Sequence, residues 1–232
     1  ALALTAQVDG NIQTQVLRDG TLDASIQGLS FHDPAIDEVI GDRVTVSATY
    51  AVDGQSGSMD AEIRAGEALS GQLAGRLTDG LQRLMARYRI EAPRLAVIGD
   101  AFNVPLAGAF VLSGTAEGDP ANPSIAATAR LTDGRIAEFG VSSAEWNIVA
   151  DTITRAPTGE TRLTAATEAG PVDVSAQFAT QEQSRVTLSS LSARLPGLTV
   201  TGEGNIALAD TTVAGRLQAK LDAARGVEFA GT

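Results

Sequence analysis

The stretch RLPGLTVTGEGNIALADTTVAGRLQAKL, residues 194–221, alternates apolar and polar side chains with a period of two. Leu198, Val200, Ile206 and Leu208 fall on even positions with two glycines between them, and after Asp210 the positions are odd, at Val213, Leu217, Ala219 and Leu221. The opposite parity carries mainly threonine, amide and charged side chains. Because successive side chains of a β-strand point to opposite faces, the stretch predicts a hairpin with a turn at Asp210 and one apolar face.

The same alternation recurs along most of the chain. It is found at 2–16, 22–26, 43–52, 59–63, 106–112, 125–131, 146–150, 163–165, 172–178 and 186–188. Asp-Gly pairs, which supply the positive φ angles of tight turns, stand at 9–10, 19–20, 53–54, 79–80 and 133–134. The pair at 9–10 is the weakest of these signals, because the alternation continues through it. Together the strands and turns predict an antiparallel meander of sequential hairpins.

Two segments predict short helices. Residues 33–42, DPAIDEVIGD, place Asp33 as the N-cap, Pro34 in the first turn and Gly41 as the stop. Residues 92–102 predict one or two further helical turns.

Residues 69–85 fit two structures. A leucine or methionine recurs every four residues, which fits one face of a helix. The segment also holds three glycines, each of which would destabilise a helix by about 0.8–1 kcal/mol relative to alanine. The leucines from 69 to 77 share one parity, so we predict two strands joined by a turn at Asp79-Gly80.

The composition limits the kind of core that these strands can form. The chain has 232 residues, of which 44% are hydrophobic and only 4% aromatic. A β-sandwich fills a gap of about 10 Å between its sheets, a space that bulky side chains fill best. Small aliphatic residues and many glycines suit an open sheet better. We therefore predict an all-β fold, an elongated, curved, mainly antiparallel sheet over 1–232, with possible sub-units 1–80 and 81–232.

The net charge of −11 argues against two kinds of partner. An acidic surface repels the phosphate backbone of nucleic acids and offers no broad basic patch to an anionic membrane. The exception is a group of four arginines, at positions 83, 87, 89 and 94. Two interpretations of this group stay open. It is either a strand edge that resists pairing with other sheets or a contact for an anionic headgroup or a partner.

The sequence offers no recognisable catalytic or metal site. His32 is the only histidine, and the chain has no cysteine. We interpret His32 as a turn or cap residue, because a lone histidine with nearby carboxylates is a poor metal site. Asp37 and Glu38 are adjacent, so their side chains point apart and make a poor acid–base couple. We therefore predict no catalysis, no metal and no cofactor.

The first residues suggest that the sequence is part of a longer protein. Alternation already begins at Leu2, with no charged segment, no apolar signal-peptide core and no cleavage site before it. No run approaches the 18 or so apolar residues of a membrane-spanning helix.

Residues 105–136, PLAGAFVLSGTAEGDPANPSIAATARLTDGRI, resemble the recurring unit of the TamB family, which is related to the AsmA-like proteins. GLTVTGEGNIAL (197–208) and TVAGRLQAKL (212–221) resemble strands of the same family, and residues 28–54 resemble its helix-interrupted portions. The resemblance implies a U-shaped sheet, often called a β-taco, with an apolar concave face. It also implies a periplasmic location in diderm bacteria, within a protein anchored in the inner membrane.

The same resemblance implies a function in moving phospholipids toward the outer membrane and in outer-membrane biogenesis with an Omp85-type barrel partner. In that case the apolar parity forms a groove for phospholipid acyl chains. The residues predicted to line it are Leu106, Phe110, Leu112, Val172, Val174, Phe178, Leu198, Val200, Ile206, Leu208, Val213, Leu217 and Leu221. The alternative is a closed structural β-domain, a sandwich or β-helix of a surface adhesin or autotransporter, in which the same residues form an ordinary core.

Overall fold

The computed structural model describes residues 2–11, 16–28, 37, 39–101, 104–136, 139–181, 185–207 and 212–221. They form fourteen β-strands and the helix α1 (Leu95–Ala101). The strands are β1 (Leu2–Asn11), β2 (Val16–Gln27), β3 (Arg43–Asp53), β4 (Ser56–Ala65), β5 (Leu69–Thr78), β6 (Arg83–Ala92), β7 (Leu106–Gly118), β8 (Ser124–Ile136), β9 (Phe139–Asp151), β10 (Thr158–Thr167), β11 (Gly170–Gln181), β12 (Arg185–Leu195), β13 (Leu198–Ala207) and β14 (Thr212–Leu221).

All fourteen strands belong to one sheet, and their order in the sheet is their order in the chain. Every neighbouring pair is antiparallel, so the sheet is an open meander with β1 and β14 at its edges. At about 4.8 Å per strand and 3.3 Å per residue, it is about 60 Å across the strands and 35 to 40 Å along them. This architecture confirms the predicted elongated, curved antiparallel sheet. The described residues include no second sheet, so the sandwich and β-helix architectures are wrong for them.

The turn predictions are confirmed at two Asp-Gly pairs and wrong at two others. The pairs at 53–54 and 79–80 join β3 to β4 and β5 to β6. The pairs at 19–20 and 133–134 lie inside β2 and β8 instead. At the second of these, the register between β7 and β8 shifts near Gly108, where φ is +103°, and Asp133 has a φ of 49°. Asp-Gly thus serves a β-bulge here, which needs positive φ angles as a turn does.

The turns predicted at 9–10 and at Asp210 remain. The weak signal at 9–10 lies within β1, at a register shift between Asp9 and Gly10. The turn predicted at Asp210 lies outside the described residues.

The helix at 92–102 is confirmed as α1, and the strand prediction for 69–85 is confirmed by β5 and β6. In the predicted helix at 33–42, residues 37, 39 and 40 are helical. Gly41 follows with a φ of +70°, and its N–H donates a hydrogen bond of 2.9 Å to the Asp37 carbonyl, as expected of a helix stop. The predicted N-cap, and His32 before it, lie outside the described residues.

The pairing register assigns each side chain to one of two faces, because directly opposed residues of an antiparallel pair lie on the same face. One row of opposed residues crosses the sheet from β2 to β14 and is apolar at every strand. This apolar row is Ala24, Val46, Ile63, Gly71, Ile90, Leu112, Ala129, Trp146, Leu163, Val174, Ala193, Val200 and Ala219.

The neighbouring row on the other side of the sheet is polar at every strand. This polar row is Asp23, Ser47, Glu62, Gln72, Arg89, Ser113, Thr128, Asn147, Arg162, Ser175, Ser192, Thr201 and Gln218. The sheet therefore has one apolar face and one polar face across its described width.

Glycines on the apolar face make room for large side chains. Gly114 of β7 lies opposite Tyr88 of β6, and a Cβ on Gly114 would come within 2.5 Å of the tyrosine Oη. Gly20 of β2 lies opposite Tyr50 of β3, where a Cβ would stand 2.5 Å from the ring atom Cε1. At these two positions, therefore, a tyrosine ring covers the glycine backbone.

Replacing Gly114 with alanine is expected to lower the free energy of unfolding by about 1–3 kcal/mol, since the new methyl group would clash with both the Ala126 carbonyl oxygen and Tyr88. Gly75→Ala is the matched control on the same face, because its Cβ would meet no heavy atom closer than 3.9 Å. We expect the control to change stability by about 0.5 kcal/mol or less. Chemical denaturation measures both variants, and equal losses would contradict the close packing at Gly114.

Candidate functional site: the apolar face

The apolar face is left largely uncovered. In the described part of the chain the buried apolar residues are Ala65, Ala68, Ala92, Ala150 and Ala176, and no larger side chain is fully buried. Large apolar side chains on this face are instead exposed by 37% or more, namely Leu22, Met59, Ile63, Leu69, Leu73, Ile90, Trp146, Leu195, Leu217 and Leu221. Contiguous apolar surface beyond a few hundred Å² marks an interaction site in most soluble proteins. This face is therefore the candidate site.

One pair of polar groups on this face joins β9 to β10. Thr161 of β10 lies on it, opposite Ile148 of β9 and Ala176 of β11. The indole N–H of Trp146 donates a hydrogen bond of 2.5 Å to the Thr161 hydroxyl oxygen. The threonine thus satisfies the one polar atom of the tryptophan and holds its ring in place.

The helix α1 adds a concave feature to the face. It packs against β7, and together they border a pocket of about 260 Å³. The pocket is lined by Leu95 of α1 and by residues of β7 to β10, including Phe110, Leu131, Trp146 and Leu163. Its walls consist almost entirely of apolar atoms.

The polar face carries most of the charged side chains of the sheet. Arg130 and Glu145 are directly opposed on β8 and β9 and form an ion pair of 2.8 Å. Hydrogen bonds from Asn147 and Arg130 hold the pKa of the Glu145 carboxyl below its usual value. Such exposed pairs contribute little stability individually. They keep this face hydrated, in contrast to the opposite one.

Two larger pockets, of about 470 and 560 Å³, lie between side chains of the polar face. Their walls mix both signs of charge, with Asp60, Glu62 and Arg87 in the first, and Arg130 and Glu145 in the second. Water solvates such walls well, so size alone does not make them better candidates than the apolar face. Within the described ranges, no three acidic or histidine side chains are grouped closely enough to hold a metal ion.

Most of the predicted lining residues lie on the apolar face. Register or alternation places Phe110, Leu112, Val172, Val174, Phe178, Leu198, Val200, Leu217 and Leu221 there. Leu106 lines the pocket beside α1. Ile206 and Val213 are opposed in register on β13 and β14, and Leu208 lies outside the described residues.

The predicted set includes no residue of β1 to β6 or of β8 to β10. Ile63, Leu73 and Trp146 lie on these strands, on the apolar face, and are all exposed. The signal that could have found them was their alternation, which is as regular as that of the residues chosen.

One interpretation of the arginine group is wrong. Arg83, Arg87 and Arg89 lie on β6, which pairs with β5 on one side and β7 on the other, so they do not protect a strand edge. Arg89 forms an ion pair with Glu91, and Arg94 forms one with Glu67. The other interpretation, a contact for an anionic group or a partner, stays a prediction.

No family model, curated protein or solved structure matches this chain. What the chain does must therefore be inferred from the apolar face itself. Among the described helical residues, none belongs to a helix with the length and hydropathy that a bilayer crossing requires.

Proposed function

We propose that this chain is a non-catalytic segment of a lipid-transfer protein and that its apolar face carries the acyl chains of phospholipids. The observation that supports the proposal is the apolar row, which crosses from β2 to β14 without a polar side chain. A hydrocarbon chain lying on this row would meet apolar side chains or glycine at every strand. No charged residue of the row would block its movement across the sheet.

The physics of acyl chains suits such a surface. Removing apolar surface from water contributes about 25 cal/mol per Å², and it needs no directional bonds. Covering the exposed leucine, isoleucine and tryptophan side chains of the face would therefore stabilise a complex with lipid. A lipid tail can supply it at any position along the sheet, so binding and sliding require no special polar group.

The cellular setting in the proposal follows from the resemblance of residues 105–136 to the TamB family. In that setting the parent protein is anchored in the inner membrane and extends through the periplasm. Phospholipids pass along it toward the outer membrane, where an Omp85-type barrel is the partner. The alternative is a structural β-domain of an adhesin or autotransporter, and it requires another layer to seal the apolar face.

Native mass spectrometry and lipid extraction of the protein, purified without detergent, test the proposal. We expect phospholipid to co-purify and to exchange with labelled phospholipid from vesicles of phosphatidylethanolamine and phosphatidylglycerol. A lipid-free protein that takes up no labelled lipid would refute the transfer function. It would favour the structural alternative instead.

A further inference from the structure

We propose that the pocket between α1 and the apolar face holds one acyl chain of an anionic lipid, and that Arg135 pairs with its acidic headgroup. The proposal rests on the lipid-binding function and narrows it to a place and a class of lipid. At about 260 Å³ the pocket is slightly smaller than the range of about 300–1,000 Å³ for ligand sites. It therefore suits part of a single chain, while a second chain would lie on the open face.

The pocket is built from parts held firmly in place. The Gly99 carbonyl of α1 accepts a 2.9 Å hydrogen bond from the Val104 N–H. A Cβ on Gly99 would lie 2.8 Å from the Leu106 Cβ, so the helix backbone sits directly against the start of β7. On the other side, the bond to Thr161 fixes the Trp146 ring. Because the walls are set before a ligand arrives, little ordering is needed for binding.

Two arginines, Arg130 and Arg135, border this apolar pocket in a protein whose net charge is −11. The Nε atom of Arg130 is 2.8 Å from the Glu145 carboxylate on the polar face, so its charge is already neutralised. Arg135 is exposed, and none of the ion pairs found among the described residues includes it. Its aliphatic stem lines the pocket while its guanidinium reaches water. A cation therefore stands at the pocket mouth, where the headgroup of a lipid with its acyl chain in the pocket would lie.

Fluorescence quenching by a dibrominated stearic acid tests the proposal. Trp146 is the only tryptophan of the chain, so quenching reports on this pocket and on the exposed face beside it, and the pocket-filling variant Ala144→Leu separates the two. We expect saturable quenching by the acid and weaker binding of its uncharged methyl ester. Arg135→Gln should raise the Kd of the acid about three- to fivefold, which is the range for an exposed ion pair. The Kd of the ester should not change.

Arg130→Gln is the matched control. We expect it to change both Kd values by less than about twofold, because the Arg130 guanidinium already forms an ion pair with Glu145. Ala144→Leu fills the pocket wall and should abolish quenching while phospholipid still co-purifies. Equal binding of acid and ester to the unmodified protein would overturn the role of Arg135. Co-purified lipid without any quenching would overturn the pocket but leave the proposed function intact, whereas the absence of both would overturn both.

Discussion

Replacing Leu73 with aspartate is expected to weaken phospholipid binding to the apolar face at β5 about tenfold. Leu73 lies in the middle of β5, is 37% exposed, and is opposed by Ala61 and Tyr88 on the apolar face. An acyl chain covering this position would have to remove a carboxylate from water without giving it a partner. A loss of 1.4 kcal/mol in binding corresponds to the tenfold change, and an unpaired buried charge exceeds that. Lipid extraction and vesicle exchange measure the effect.

Ala74→Asp is the matched control for this variant. Ala74 is the next residue on the same strand, is exposed, and lies on the polar face between Asp60 and Arg87. We expect unchanged lipid binding, because the acyl path lies on the other side of the sheet. Both variants should keep the folded circular dichroism spectrum, since both sites are exposed to water. If they lose lipid equally, or if neither loses any, the apolar face is not the lipid path.

The sequence predicted the fold well because its main signal is local. Each strand shows the alternation with a period of two in its own sequence. Strands that follow each other in the chain are usually neighbours in the sheet, so the pairing also follows from the sequence order. The segment at 69–85 shows that apolar residues spaced four apart do not by themselves predict a helix, because this segment forms β5 and β6. Its glycines are tolerated in strands that pack no core, and β5 carries two of them on the apolar face.

Features that depend on pairing between strands were harder to predict. An Asp-Gly pair can supply a positive φ angle to a turn, as Gly54 does at 51°, or to a bulge, as Asp133 does at 49°, so the pairs at 53–54 and 133–134 look alike in the sequence. Only the partner strand decides between them. The pocket beside α1 has the same difficulty, because it joins Leu95 to Leu163 across four strands that must first be paired in register.

Removing lipid from the protein is expected to make it self-associate. The exposed leucine, isoleucine and tryptophan side chains of the apolar face lie on one continuous surface. In water, an exposed apolar surface of this kind tends to associate with another apolar surface. Without acyl chains, the same face of a second copy is the nearest apolar cover available. We therefore expect the lipid-free protein to form dimers or larger species in a concentration-dependent way. Adding phospholipid should return it to the monomer, as seen by analytical ultracentrifugation.

Leu73→Asp separates this association from nonspecific aggregation. An aspartate in the middle of the face would be buried without a partner in a face-to-face dimer, so the dimer Kd should rise tenfold or more. Ala74→Asp should leave the Kd within about twofold, because the polar face stays in water. A lipid-free protein that remains monomeric at every concentration would mean that something else covers the face. That result would favour a sealed structural domain, because an apolar surface of this extent does not stay bare in water.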